Sequence, residues 1–118
     1  MDNDSFKIRL YRFTLKLIKF IDSIDKSNLV SRKISDQLFR SGTSIMANYV
    51  EGKSSISTKE YINFFSISLK SANESKYWFA ILRDSGKIEA EKVTWFLSEL
   101  EEISKIFGKS IITLRKKK

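Results

Sequence analysis

The chain has 118 residues, 42% of them hydrophobic and 13% aromatic, and a formal net charge of +8. That length suits one domain burying roughly two-thirds of its unfolded surface, and the apolar content exceeds what a disordered chain carries. With no His and no Cys, the usual neutral-pH general base, the thiolate nucleophile and the common zinc ligands are excluded, and the excess of cations points toward anionic partners.

Proline is absent and the glycines are Gly42, Gly52, Gly86 and Gly108, so a helix has few places to break and a few long helices are favoured. The spacing predicts a first helix over about 5–24, with Phe6, Leu10, Phe13, Leu17, Ile21 and Ile24 recurring at helical intervals as its core face. The same axis carries a second apolar stripe, Ile8, Tyr11, Leu15 and Ile18, and a basic stripe, Arg9, Arg12, Lys16 and Lys19. After the polar connection Asp25-Lys26-Ser27-Asn28 a second helix runs to about residue 51. Val30, Ile34, Leu38, Ile45 and Tyr49 form its core stripe, Gln37, Ser41, Ser44, Asn48 and Glu51 a polar seam beside it, and Phe39, Met46 and Val50 a separate apolar stripe. Ser41, Gly42 and Ala47 are small enough to let another backbone approach, and Gly52 stands where a left-handed helix stop favours a residue without Cβ.

Ser57 and Glu60 make a capping box for a third helix, with Ile56 and Tyr61 as its hydrophobic staple. Tyr61, Phe65, Ser68, Ala72, Ser75, Phe79 and Leu82 define its inward face, and Gly86 is its C-terminal stop. A fourth helix begins near Ile88, with Glu89 and Glu91 favourable at its N-terminus. It carries Val93, Phe96, Leu100, Ile103, Phe107, Ile111 and Leu114 inward, and Arg115-Lys116-Lys117-Lys118 follows as a flexible basic tail. Short connections between these helices imply an all-α, antiparallel up-down-up-down four-helix bundle, with 1–118 as one domain.

The chemistry is sparse. Without histidine the Glu-x-x-His pairs of di-metal bundles cannot be written, and neither phosphate-cradling glycine motif occurs, so no metal, no cofactor and no enzymatic activity are expected. Glu51 and Glu74 are the only acids worth weighing as a catalytic pair. Their plainer roles are structural, Asn48 and Glu51 hydrogen-bonding to helix neighbours or an adjacent subunit and Glu74 pairing with Lys70 or another helix cation. The basic stripe places four cations where phosphates can be neutralised together, and the 115–118 cluster points the same way; a solvated helix face is the competing reading. Tyr11 and Tyr77 suit either stacking on unpaired bases or packing against protein. The surplus apolar stripes of the first two helices cannot face the same core as the principal stripes, so self-association is expected, a wider core being the alternative. No apolar run approaches the ~18 residues of a membrane span and the chain opens on acidic residues, so the expected setting is the cytoplasm, with no membrane partner.

The run from Gln37 to Gly52 resembles the signature of the four-helix-bundle proteins encoded in intervening sequences of bacterial 23S ribosomal RNA genes, Q-L-x-R-x-x-x-S-I-x-A-N-x-x-E-G. Gln37, Leu38, Arg40, Ser44, Ile45, Ala47, Asn48, Glu51 and Gly52 match, while Met46 stands where proline or glycine is common. The resemblance continues through Lys59-Glu60-Tyr61-Ile62-Asn63-Phe64-Phe65 and Ser71-Ala72-Asn73-Glu74-Ser75-Lys76-Tyr77-Trp78. It implies a ring-like homopentamer, and it favours RNA over DNA as the ligand only through the genes that carry the family. The expected function is a non-enzymatic, basic homo-oligomer binding RNA or other nucleic acid through phosphate contacts. The alternative is a protein-interaction scaffold or accessory subunit, since the related accessory proteins of diversity-generating retroelements share a similar basic pentameric bundle and act with a reverse transcriptase.

Overall fold

In the computed structural model, which describes residues 3–117, the chain forms α1 (Asn3–Ser23), α2 (Leu29–Lys53), α3 (Thr58–Asp84) and α4 (Ala90–Lys116). Neighbouring helices pair rising residue numbers with falling ones. Phe6 meets Tyr49 and Leu17 meets Gly42 across α1 and α2; Ser41 meets Ser75 and Ser44 meets Ser71 across α2 and α3. Phe65 meets Phe107 and Phe79 meets Phe96 across α3 and α4, and Phe6 meets Phe107 across α1 and α4. The bundle is therefore antiparallel, up-down-up-down, and 49 Å long.

The helix ends follow from local chemistry, with corrections to the expected signals. Asn28 accepts from the Ser31 N–H and Ser57 from the Glu60 N–H, both at 3.1 Å, so each caps an orphan donor. The Glu60 carboxylate accepts from the Ile56 N–H at 3.4 Å, one residue before the Ser57 N–H that closes a capping box, and the staple does not form. Ile56 is 99% exposed, and Tyr61 packs instead on Phe65 and beneath the Lys53 ammonium. Gly86, at φ 75°, ends α3 in the left-handed conformation, and the Lys87 and Ile88 N–H groups both bond the Leu82 carbonyl. Gly52 is no such stop: it lies inside α2, which ends at Ser54 in right-handed geometry, and its missing Cβ makes room for the Phe65 ring. At Met46 α2 continues without a break.

The core is built in layers. Phe6, Tyr49, Phe65 and Phe107, one ring from each helix, form one layer with centroids 5.2 to 6.1 Å apart. Leu10, Ile45, Leu100 and Ile103 are buried next to it, and Phe13, Phe20, Phe79 and Phe96 form a second aromatic layer, with Leu17 and Leu38 buried at its level. Val30, expected in the core stripe, is exposed in the first turn of α2, so that stripe begins at Ile34.

Serines set the spacing of α2 and α3. Ser68 Oγ donates to the Ile45 carbonyl at 2.8 Å, Ser71 Oγ to Ser44 Oγ at 2.9 Å, and the Ser41 and Ser75 hydroxyls share a hydrogen bond at 2.8 Å. Short hydroxyl side chains draw the two backbones together while leaving these buried polar atoms bonded. Phenylalanines set the opposite pair, so the α1 and α4 backbones stand further apart and an outer groove opens between them.

Gly42 faces a side chain rather than another backbone, because Leu17 packs directly over it, and Ala47 is exposed. A Cβ at Gly42 would collide with Leu17 Cδ2, and because Leu17 is fully buried it can give way only by disturbing its core neighbours. Gly42→Ala gains about 1 kcal/mol of helix propensity, but overpacking costs about 1–3 kcal/mol, so the expected net effect is a lower urea midpoint. Gly108, inside α4 with nothing within 4 Å of its Cβ position, is the opposite case. Gly108→Ala is expected to raise the midpoint, by about 1 kcal/mol of stability.

Candidate nucleic-acid interface

Helical spacing brings Arg9, Arg12, Lys16 and Lys19 onto the flank of α1 that faces α4, and α4 presents Trp95 and Glu99, one turn apart, in return. Ser5, Ile8, Arg9, Arg12, Lys16, Trp95 and Glu99 line an open hollow of about 470 Å³. A second hollow, of about 330 Å³, adjoins it and is lined by Lys16, Lys19, Phe20, Trp95 and Phe96. Lys16 and Trp95 belong to both walls.

The four cations are not equivalent. Arg9 forms a two-pronged pair with Glu99, Nε to Oε2 at 2.7 Å and Nη2 to Oε1 at 3.0 Å. The Glu99 hydrogen bond raises the Arg9 pKa above its ordinary value, partial burial opposes it, and the charges of Glu99 and Glu102 add to the rise. Arg9 is thus charged but committed to Glu99. Lys16 Nζ lies over the Trp95 ring, 4.9 Å from its centroid. Arg12, Lys16 and Lys19 are exposed and make no ion pair among the described residues, so three of the four expected cations are left to meet an anion.

The basic cluster expected as a tail begins inside the last helix. Arg115 and Lys116 occupy the last turn of α4, Lys117 is its C-cap, and Lys118 lies outside the described residues. The Phe6 to Phe107 contact places that turn at the end of the bundle where α1 begins.

The α2 run divides between packing and surface. Gly42 packs against α1 and Gly52 against α3. Asn48 Nδ2 donates to Ser44 O and Oγ, both at 2.9 Å, and Gln37 is half-buried, while Arg40 and Glu51 are exposed. Glu51 and Glu74 do not form a pair. The α2 to α3 register sets Glu51 near the level of Phe65 and Glu74 near that of Ser41, about 15 Å apart along the helix. Glu74 accepts instead from Trp78 Nε1 at 3.1 Å.

The surplus apolar residues fall on one face. The Leu17 to Gly42 and Phe6 to Tyr49 contacts fix a register that sets Ile18 level with Phe39, Tyr11 with Met46 and Ile8 with Val50. Ile8, Tyr11, Leu15, Ile18, Phe39 and Val50 are exposed; Met46, expected on this stripe, is half-buried and packs partly against the core. Among the described residues no group of three or more His, Cys, Asp or Glu could hold a metal ion, and no helix is long and apolar enough to cross a membrane.

Trp95 and Glu99 were not singled out by sequence reasoning. The signal that could have found them is their shared flank on α4, which an antiparallel bundle turns toward the basic flank of α1.

Comparison with known proteins agrees with this architecture. A crystal structure of a protein of unknown function from the S23 ribosomal protein family of Bacteroides thetaiotaomicron is similar over 89% of this chain and 96% of its own, at 31% identity and a TM-score of 0.79. A search of curated proteins found no match. Residues 8–109, which contain the α2 run, the whole basic stripe and the facing flank of α4, match the family model described as 23S rRNA-intervening sequence protein, and the chain belongs to that family.

Proposed function

We propose that this chain is a non-enzymatic, self-associating basic bundle of the cytoplasm that binds RNA or another nucleic acid through its phosphates. The observation that carries this reading is the set Arg12, Lys16 and Lys19, exposed along one flank of α1 with no carboxylate partner among the described residues. They are strung over about 10 Å of helix, long enough to meet successive phosphates of one strand. Arg115, Lys116 and Lys117 extend the positive field at one end of the bundle and favour encounter, an effect that salt screens within about 10 Å at 0.1 M. Self-association through the apolar α1–α2 face repeats the basic flank around the assembly and raises effective concentration without a base-specific pocket. The family resemblance points to a homopentamer. Exposure of that apolar face also favours a second reading, in which it docks another protein and the charge serves solubility.

The test is the salt dependence of binding. Replacing Arg12, Lys16 and Lys19 together by Gln is expected to weaken binding to RNA and DNA of matched sequence, and to flatten log affinity against log salt by about 0.7–0.9 per lost phosphate contact. Arg9 is left in place because its loss would strand the half-buried Glu99 carboxylate. Failure of the wild type to bind either nucleic acid at low salt, or an unchanged slope in the triple variant, would reject the phosphate mechanism and favour the protein-docking reading.

A further inference from the structure

Trp95 is 40% exposed in the middle of the basic groove and is held there by the core. Phe13 stacks against it with ring planes 21° apart, and Phe96 meets it edge-on with centroids 5.1 Å apart, so the indole is braced from within the bundle. Lys16 Nζ lies over the ring, and the hollows lined by Trp95 open onto Arg12 on one side and Lys19 on the other. A cation–π contact at an exposed site is weaker than the stacking of a nucleobase on an aromatic ring. An arriving base would therefore displace the Lys16 ammonium from the ring and leave it to the adjoining phosphate.

We propose that the α1–α4 groove takes single-stranded nucleic acid, an unpaired base stacking on Trp95 while Arg12, Lys16 and Lys19 hold the flanking phosphates. The proposal rests on the phosphate-binding reading above and narrows it to strand state. A base inside a duplex has both faces covered by its neighbours, and only an unpaired base can bring a face to an indole recessed between two helices. Trp78 is the internal contrast: its Nε1 donates to the Glu74 carboxylate, whose charge repels a phosphate.

The experiment compares binding of the full chain to a single-stranded RNA and to the blunt duplex that contains it, at low salt. The wild type is expected to prefer the single strand. Trp95→Leu is expected to weaken single-strand binding by about 5- to 150-fold and to leave duplex binding within about twofold, Trp95→Phe to recover much of the loss, and Trp78→Leu to change neither. In the Trp78→Phe protein, where Trp95 supplies the remaining indole emission, the single strand is expected to quench fluorescence and the duplex to quench it less. That measurement decides the matter should Trp95→Leu fail to fold. Equal losses on both ligands, no loss, or no quenching would overturn the stacking proposal, and the phosphate reading would survive if the triple Gln variant still weakens binding. A wild type that binds neither ligand would overturn both.

Discussion

Phe107→Ala is expected to destabilise the bundle by about 3–5 kcal/mol, the range for truncating a buried phenylalanine. Phe107 is fully buried, and its ring meets one ring from every other helix: Phe6 at 5.3 Å, Tyr49 at 6.1 Å and Phe65 at 5.2 Å. Collapse of the surrounding layer relieves only part of the loss, because the α2 to α3 spacing is held independently by the Ser41, Ser44, Ser68, Ser71 and Ser75 hydroxyls and only α1 and α4 are left to move inward. Part of the cavity therefore persists and its lining forfeits contacts on one side. Since a domain is stable by only about 5–15 kcal/mol, the variant should unfold at far lower urea and temperature. Ile112→Ala, at an exposed position of the same helix, is expected to change stability by less than about 0.5 kcal/mol. Similar urea midpoints for the two variants would show that the four-ring layer does not hold the helices together.

The core faces were legible because burial at helical spacing leaves a periodic trace: Phe6, Leu10, Phe13, Leu17, Ile21 and Ile24 are all buried as the spacing implies. What the period misses is the width of a buried face. Phe20 lies beside the principal stripe of α1 and is buried against Phe79 and Phe96, because a helix in a bundle is covered by two neighbours rather than one. Val30 is the converse, on the stripe by angle but too near the end of the bundle to be covered. The Ile56 and Tyr61 pair satisfied a local rule that the path of the connecting loop overrode. Gly52 shows a different ambiguity, since a glycine near a helix end serves a left-handed stop or a close approach equally well, and only the position of Phe65 decides between them. The basic groove is less legible still. Arg9 carries its charge in the sequence, but the carboxylate that engages it lies 90 residues away, and Trp95 gains its interest only from lying beneath Lys16. Periodicity reports which flank of a helix a residue occupies; pairing between flanks depends on register, which single helices do not encode.

The wild type is expected to sediment as a discrete assembly at micromolar concentration, and Ile8→Asp with Leu15→Asp to reduce it to monomer with its helical circular dichroism intact. Both residues are exposed in the single chain, so the substitutions remove little from its core. In an assembly sealed by the α1–α2 face, each aspartate would have to be desolvated at a cost of several kcal/mol per ion, and symmetry repeats that cost at every interface. Phe39→Asp should act in the same direction if α1 and α2 form one continuous face, since Phe39 is level with Ile18. An assembly that persists with helicity intact in the double variant would place the contact elsewhere. A monomeric wild type would reject self-association, and loss of helicity would show that these side chains support the fold itself. Ile8 also lines the α1–α4 hollow, where an aspartate would itself repel phosphate, so the monomer to carry into binding is Leu15→Asp with Phe39→Asp, both outside the two groove hollows, which should keep a folded groove with Arg12, Lys16 and Lys19 in place. Its affinity for a long single strand should fall through lost avidity, while its affinity for a strand short enough to span one groove should stay that of the parent.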